Sequence, residues 1–129
     1  MTNIVIDTNV IVSAAISPMG NPAKIKAIIA SSEDIQVFYS DTMLDEYKRV
    51  LAYERLKIAI ETQNEITDML QEIGILVEPP ISTIPMPDET DRAFYDTAKA
   101  SGAILITGNT RHYPDEPFIV TPADFLAIR

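Results

Sequence analysis

Apolar residues follow two rhythms along this chain. Short unbroken runs fall at Asn3–Ile6, Ile35–Tyr39, Ile75–Val77, Ala103–Ile106 and Pro117–Val120. Runs this short, rich in Ile and Val and apolar at successive positions, predict strands covered on both faces. Between them the apolar residues return every third or fourth position, which is helical spacing. One helix is expected from about Val10. Ala23–Ala30 carries Ile25, Ile28 and Ile29 on one face, and Pro22 suits its first turn. A third helix begins at Ser40-Asp41-Thr42, where Thr42 with Asp45 fits a capping box and Asp41 is an equally good cap. Arg55–Ile73 predicts one long helix. Asp88–Asp91 opens another, stopped by Gly102 after Ser101, and Pro122–Ile128 closes the chain.

Strands alternating with helices predict an α/β fold, because parallel neighbours need helical crossovers. The expected architecture is three-layer α/β/α, with a central, mainly parallel sheet of four to five strands. The stretch Glu78–Pro87 holds four prolines and reads as a rigid, non-helical connector. Too little chain follows it to build a separate core, so residues 1–129 are expected to form a single domain.

Composition narrows the chemistry. With no cysteine and one histidine, His112, the chain can assemble neither a disulfide nor a zinc site of the usual His/Cys kind. A reducing cytoplasm is the expected setting. No run of eighteen apolar residues occurs, so no membrane span is expected. The first residues show no basic segment leading into a long apolar stretch, so no signal peptide is expected. The formal charge of −9 argues against tight, nonspecific nucleic-acid binding by a basic face. It leaves room for a metal-dependent enzyme, since carboxylates bind Mg²⁺ or Mn²⁺ and the ions meet the phosphate.

The acids are where the pattern becomes chemical. Asp7 ends the first strand, in Ile4-Val5-Ile6-Asp7-Thr8-Asn9-Val10. Asp7 or Thr8 could simply cap the next helix. In the third helix, Met43, Leu44, Tyr47, Val50 and Leu51 form the apolar stripe. Glu46 lies about 90° from the centre of that stripe, while Asp45 lies roughly opposite it. Asp91 shares a face with Phe94, Tyr95 and Ala98, so it points inward, whereas Asp96 falls off that face. Asn109 follows the fourth strand. In a parallel sheet Asp7, Glu46, Asp91 and Asn109 all belong to the carboxyl edge, where ligands collect. Several carboxylates gathered there need a counter-charge, and a hard divalent cation suits oxygen donors. Thr8 and Thr107 could orient ligands or make local hydrogen bonds. Arg111 and His112 could touch nucleic acid or form a surface turn, and no partner to orient His112 as a general base is visible.

Order and spacing of these segments resemble the PIN-domain family, of the toxin type called VapC-like, over nearly the whole chain. The Ile-Asp-Thr-Asn-Val opening, Leu44-Asp45-Glu46-Tyr47, Asp91 eleven residues before Gly102, and Ile104–Pro114 with its Thr-Gly-Asn and His-Tyr-Pro match the family's motifs in order. The resemblance implies a PIN-like fold and a metal-dependent endoribonuclease. Asp7, Glu46 and Asp91 would hold one or two Mg²⁺ or Mn²⁺, with Asn109 completing the catalytic set. Water attack would leave a 3′-hydroxyl and a 5′-phosphate. It also implies a homodimer and an antitoxin partner. Many relatives carry Asp where this chain has Asn109, which removes one charge and puts a second metal position in doubt. Two alternatives stand beside this reading. One is a PIN-fold interaction module with little catalysis, which the −9 charge and Asn109 favour slightly. The other is a haloacid-dehalogenase-like phosphatase, which also begins strand-Asp but needs a second acid where this chain has Asn9.

Overall fold

A computed structural model describes residues Met1–Arg129. Five strands are present: β1 (Thr2–Ile6), β2 (Ile35–Tyr39), β3 (Ile75–Leu76), β4 (Ile104–Ile106) and β5 (Ile119–Val120). They pair in the order β3-β2-β1-β4-β5, and every pair is parallel. Ile4, Val5 and Ile6 are consecutive and almost wholly buried, which requires cover on both faces of β1.

Six helices supply that cover: α1 (Thr8–Ile16), α2 (Asn21–Ser31), α3 (Asp41–Leu51), α4 (Ile60–Ile73), α5 (Arg92–Ser101) and α6 (Pro122–Ile128). α5 packs on β1, β2 and β4, and α2 and α4 lie against β2. α3 touches both α4 and α5. Phe94 and Tyr47 meet edge to face in this core, with ring centroids 6.0 Å apart. The expected α/β/α fold is the fold observed, with all five strands parallel.

Four local expectations need correction. The cap of α3 is Ser40, whose Oγ accepts from Met43 N at 3.3 Å, in place of Thr42 or Asp41. Asp41 and Thr42 instead lie exposed inside the first turn. The helix expected over Arg55–Ile73 is broken. Residues Glu54–Leu56 form a 3₁₀ turn, Lys57 takes a left-handed conformation (φ 53°), and α4 starts at Ile60. The break lets Ile58 pack against the core. α1 begins directly at Thr8, leaving Asp7 alone between strand and helix. Asp96 is buried, because α5 is covered on a second side. Ser82 in the proline-rich connector donates its backbone N–H to Asp96 Oδ2 at 3.1 Å, and Arg92 reaches back to the carbonyls of Ser82 and Ile84.

The strand order fixes where a site can form. From β1 the chain builds outward through β2 and β3, then returns to the other side of β1 for β4 and β5. The direction reverses between β1 and β4, and the crevice at the carboxyl ends of such a pair is where open α/β sheets bind ligands. Asp7 follows β1 and Thr107 follows β4 at that point, joined by Asp7 N–H to the Ile106 carbonyl at 2.9 Å.

Candidate metal centre

Asp7 sits at the N-cap position of α1, but its side chain makes no capping hydrogen bond. It is 5% exposed and committed elsewhere. Thr107 Oγ1 donates to Asp7 Oδ2 at 2.8 Å and the Tyr113 hydroxyl donates to the same oxygen at 3.0 Å. Both donors end on Oδ2, so Oδ1 is left for the cleft that Asp7 lines. Burial, the Asp7 charge and the Asp91 charge hold the Tyr113 phenol far above its ordinary range, so it stays a donor. Tyr47 is raised in the same way by burial, Asp7 and Glu46, and its hydroxyl donates to the Ile6 carbonyl beneath the site.

Glu46 lies half-buried at the border of the apolar face of α3, as its position on the wheel predicts, and Asp45 is exposed. The Thr8 hydroxyl donates to Glu46 Oε2, tying α3 to the start of α1. Arg49 approaches the other oxygen at 3.9 Å. Thr8 and Thr107 each orient an acid from a distant segment, and Thr107 Oγ1 also accepts locally from Asn109 N at 3.1 Å.

Asp91 is 8% exposed, at the last position of a 3₁₀ turn (Glu89–Asp91) that leads into α5. Its Oδ2 is out of contact with solvent and has no hydrogen-bond partner. Burial first, then the charges of Asp7, Asp88 and Glu46, raise the Asp91 carboxyl from 3.8 to about 7, with His112 opposing. Asp88 opens that turn, accepting from Thr90 N and Thr90 Oγ1 at 3.0 and 2.7 Å. Its hydrogen bonds to Thr90 hold its own carboxyl below the usual range.

Asp7, Glu46 and Asp91 line one open cleft of about 720 Å³, together with Asp88, His112, Arg49 and Arg55. Asn109 reaches the same sheet edge but not this cleft. Its amide oxygen accepts from Arg111 N at 3.3 Å and caps the 3₁₀ turn Thr110–His112. The structure thus gathers three of the four sequence-predicted residues and turns the fourth to a local task. Sequence reasoning passed over Tyr113 as a donor to Asp7 and Asp88 as more than a cap. It also missed a neighbour for His112, whose Nδ1 lies 3.6 Å from Asp91 Oδ2. A buried carboxylate oxygen with no donor, among other carboxylates, is the donor set a hard divalent cation fits.

The family model of the PIN domain matches residues 3–111. This chain belongs to the PIN domain family. An uncharacterized protein of Methanocaldococcus jannaschii, MJ1680, is 33% identical over 109 residues, covering 82% of this chain and 70% of that protein. The PIN fold here is similar to VapBC2 from Rickettsia felis, solved bound to a DNA fragment from its promoter. That match has TM-score 0.60 and 14% identity, over 93% of this chain and 97% of that one. It is also similar to PAE2754 from Pyrobaculum aerophilum, with TM-score 0.62 and 13% identity over 98% and 88% of the two chains. At those identities the likeness is one of fold. Membership of the PIN family sets the dehalogenase-like alternative aside. Position 9 has its own task in this PIN domain: Asn9 Oδ1 accepts from Gly108 N at 2.9 Å and ties the ends of β1 and β4 together. No helix of the chain is long and apolar enough to cross a membrane.

Proposed function

We propose that this PIN domain is a metal-dependent endoribonuclease that hydrolyses RNA phosphodiester bonds, and that it is the toxin of a toxin–antitoxin pair. One observation carries the reading. The buried Asp91 oxygen lacks any donor, beside a second buried carboxylate, Asp7, and Glu46 at the cleft wall.

Asp7, Glu46 and Asp91 would hold Mg²⁺ or Mn²⁺. When bound, such a cation supplies a Lewis acid for water activation and neutralises charge developing on the scissile phosphate. The chain's own residues do the positioning. Thr107 and Tyr113 fix Asp7, Thr8 fixes Glu46, and the turn before α5 fixes Asp91. Arg49 and Arg55 stand in the same cleft, where guanidinium groups match phosphate oxygens. They offer local attraction for RNA on a chain whose net charge is −9. Likeness of fold to VapBC2 supports an antitoxin partner and, with the family resemblance, a homodimer working in the cytoplasm.

The test is cleavage of RNA by partner-free protein with Mg²⁺, Mn²⁺ or chelator. Asp7→Asn is expected to lower the rate by about a hundredfold or more, as loss of an electrostatic anchor does. Equal cleavage by wild type and Asp7→Asn would remove the metal-site reading. Wild type that binds a protein partner but cleaves no RNA with either cation would favour the interaction-module reading.

A further inference from the structure

The one histidine of the chain stands where it can do more than line a cleft. Asp88, Asp91 and His112 each offer a donor atom, and the three atoms lie within 4.8 Å of one another. On Asp91, Oδ2 is buried without a partner. His112 Nδ1 lies 3.6 Å from it. That distance is too long for a hydrogen bond. It is close to the roughly 3–3.5 Å expected between two donors that each sit about 2.1 Å from a shared ion. Asp88 places both of its hydrogen bonds on Oδ1, which leaves Oδ2 free.

The local backbone explains how the imidazole comes to be there. Asn109 caps the turn Thr110–His112 with its own amide, and Tyr113 is anchored on Asp7. The turn is therefore pinned at both ends, and His112 follows from it to the Asp91 side of the cleft. Position 109 carries a neutral amide, and a nitrogen donor arrives three residues later.

We propose that Asp88, Asp91 and His112 form a mixed nitrogen–oxygen cation site, with His112 Nδ1 as a direct ligand. The proposal rests on the carboxylate-site reading above. Imidazole is a good ligand for Zn²⁺ and the later transition metals, a weaker one for Mn²⁺, and a poor one for Mg²⁺, which keeps to oxygen and water. The site therefore prefers a transition metal to Mg²⁺, and His112 is the cause of that preference.

Because His112 is the sole histidine, its ring nitrogens report on this site alone. Zn²⁺ titrated into ¹⁵N-labelled wild type is expected to move the Nδ1 resonance to a metal-bound position while Nε2 keeps its proton. Calorimetry with Mn²⁺ and Mg²⁺ on wild type, His112→Ala, Asp88→Asn and Asp91→Asn completes the test. His112→Ala is expected to weaken Mn²⁺ by about tenfold or more and Mg²⁺ much less, so that the selectivity collapses. Asp88→Asn should weaken both, and Asp91→Asn should weaken both most. His112 is half-exposed, so its loss leaves the core intact. An unmoved Nδ1 at saturating Zn²⁺, or an unchanged Mn²⁺-to-Mg²⁺ ratio in His112→Ala, overturns this proposal. If Asp91→Asn still loses both cations in that case, the carboxylate site survives without it. Wild type that binds none of the three cations overturns both readings together.

Discussion

The cleft has two halves built in opposite ways. At the ends of β1 and β4, Asp7 is buried and receives two hydroxyl donors on one oxygen. At the start of α5, Asp91 is equally buried, and its Oδ2 receives none. The donors on the first side come from Thr107 and Tyr113, both on the far side of β4 in sequence, so the sheet's topology delivers them. The second side has acids for neighbours, Asp88 by sequence and Asp7 across the cleft. A clamped carboxylate is ready before anything binds. A bare one carries a desolvation cost that a bound cation would relieve. Placing the two side by side leaves local stability unclaimed until the ligand arrives, which is the pattern expected of a binding site and not of a structural ion pair.

The strongest way to break this contrast is to remove the charge on the bare side. The folded Asp91 carboxyl titrates near 7, against 3.8 ordinarily. The unfolded chain has lost that proton by about pH 5, while the folded chain keeps it until about 7. Folding therefore binds a proton in this window. Stability linked to Asp91 is full below about 4 and is lost as pH rises through about 7. In chelator at about pH 8, Asp91→Asn should stabilise the fold by on the order of 2 kcal/mol after discounting for solvent at the cleft mouth. At about pH 4 the gain should vanish. Urea midpoints across that range read the effect. A difference between the two proteins that does not change with pH would mean Asp91 is not the group responsible.

A smaller effect is expected from loosening the clamped side. Tyr113→Phe keeps the ring in the core and removes one of the two donors to Asp7. Losing a hydrogen bond to a charged acceptor costs about 1.5 kcal/mol. The expected result is a lower urea midpoint with an unchanged slope, and the pH dependence that belongs to Asp91 should persist. Wild-type stability in Tyr113→Phe would show that Thr107 alone holds Asp7.

These two halves were not equally legible in the sequence. Asp7 and its setting follow from an apolar run that stops at an acid, and strand ends of that kind recur at the carboxyl edge of parallel sheets. The strands themselves were found within a residue or two, because short β-branched runs bounded by Gly, Pro and Asp have few other readings. Angle on the wheel alone separates half-buried Glu46 from exposed Asp45. Failures share one cause: a wheel or a run describes one element against one neighbour. The wheel places Asp96 off the apolar face because it counts α5 against the sheet only, whereas the connector at Ser82–Ile84 covers its other side. The spacing over Arg55–Ile73 predicts a helix straight through Lys57, where no Gly or Pro marks the break, and Ile58 packs against the core just beyond it. Asn109 was placed at the correct edge, but a side chain that caps its own turn cannot be aimed from spacing. Tyr113 and His112 reach the site through that same turn, and nothing in the sequence gives the direction of a 3₁₀ turn after a strand.

The smallest expected effect concerns a tie within the clamped half, between the ends of β1 and β4. Asn9 is exposed, and its Oδ1 accepts the Gly108 N–H at 2.9 Å. Water can replace an exposed acceptor, so Asn9→Ala should cost only about 0.5 kcal/mol. The melting temperature would then fall by roughly 2 °C for a domain of this size. The consequence is local. Gly108 leads into the segment that carries Asn109, His112 and Tyr113, and a Cβ at Gly108 would come within 3.2 Å of Asn9 Oδ1, so the two approach closely. Freed from Asn9, this segment keeps one anchor near its start, Asn109 N to Thr107 Oγ1 at 3.1 Å. Hydrogen exchange at the Gly108 amide should accelerate clearly, with little change in the amides of β1 and β2. That result would show that the segment bearing His112 is held by the β1 side as well as by its own turn. An unchanged exchange rate at Gly108 would place the whole burden on Thr107 and Tyr113.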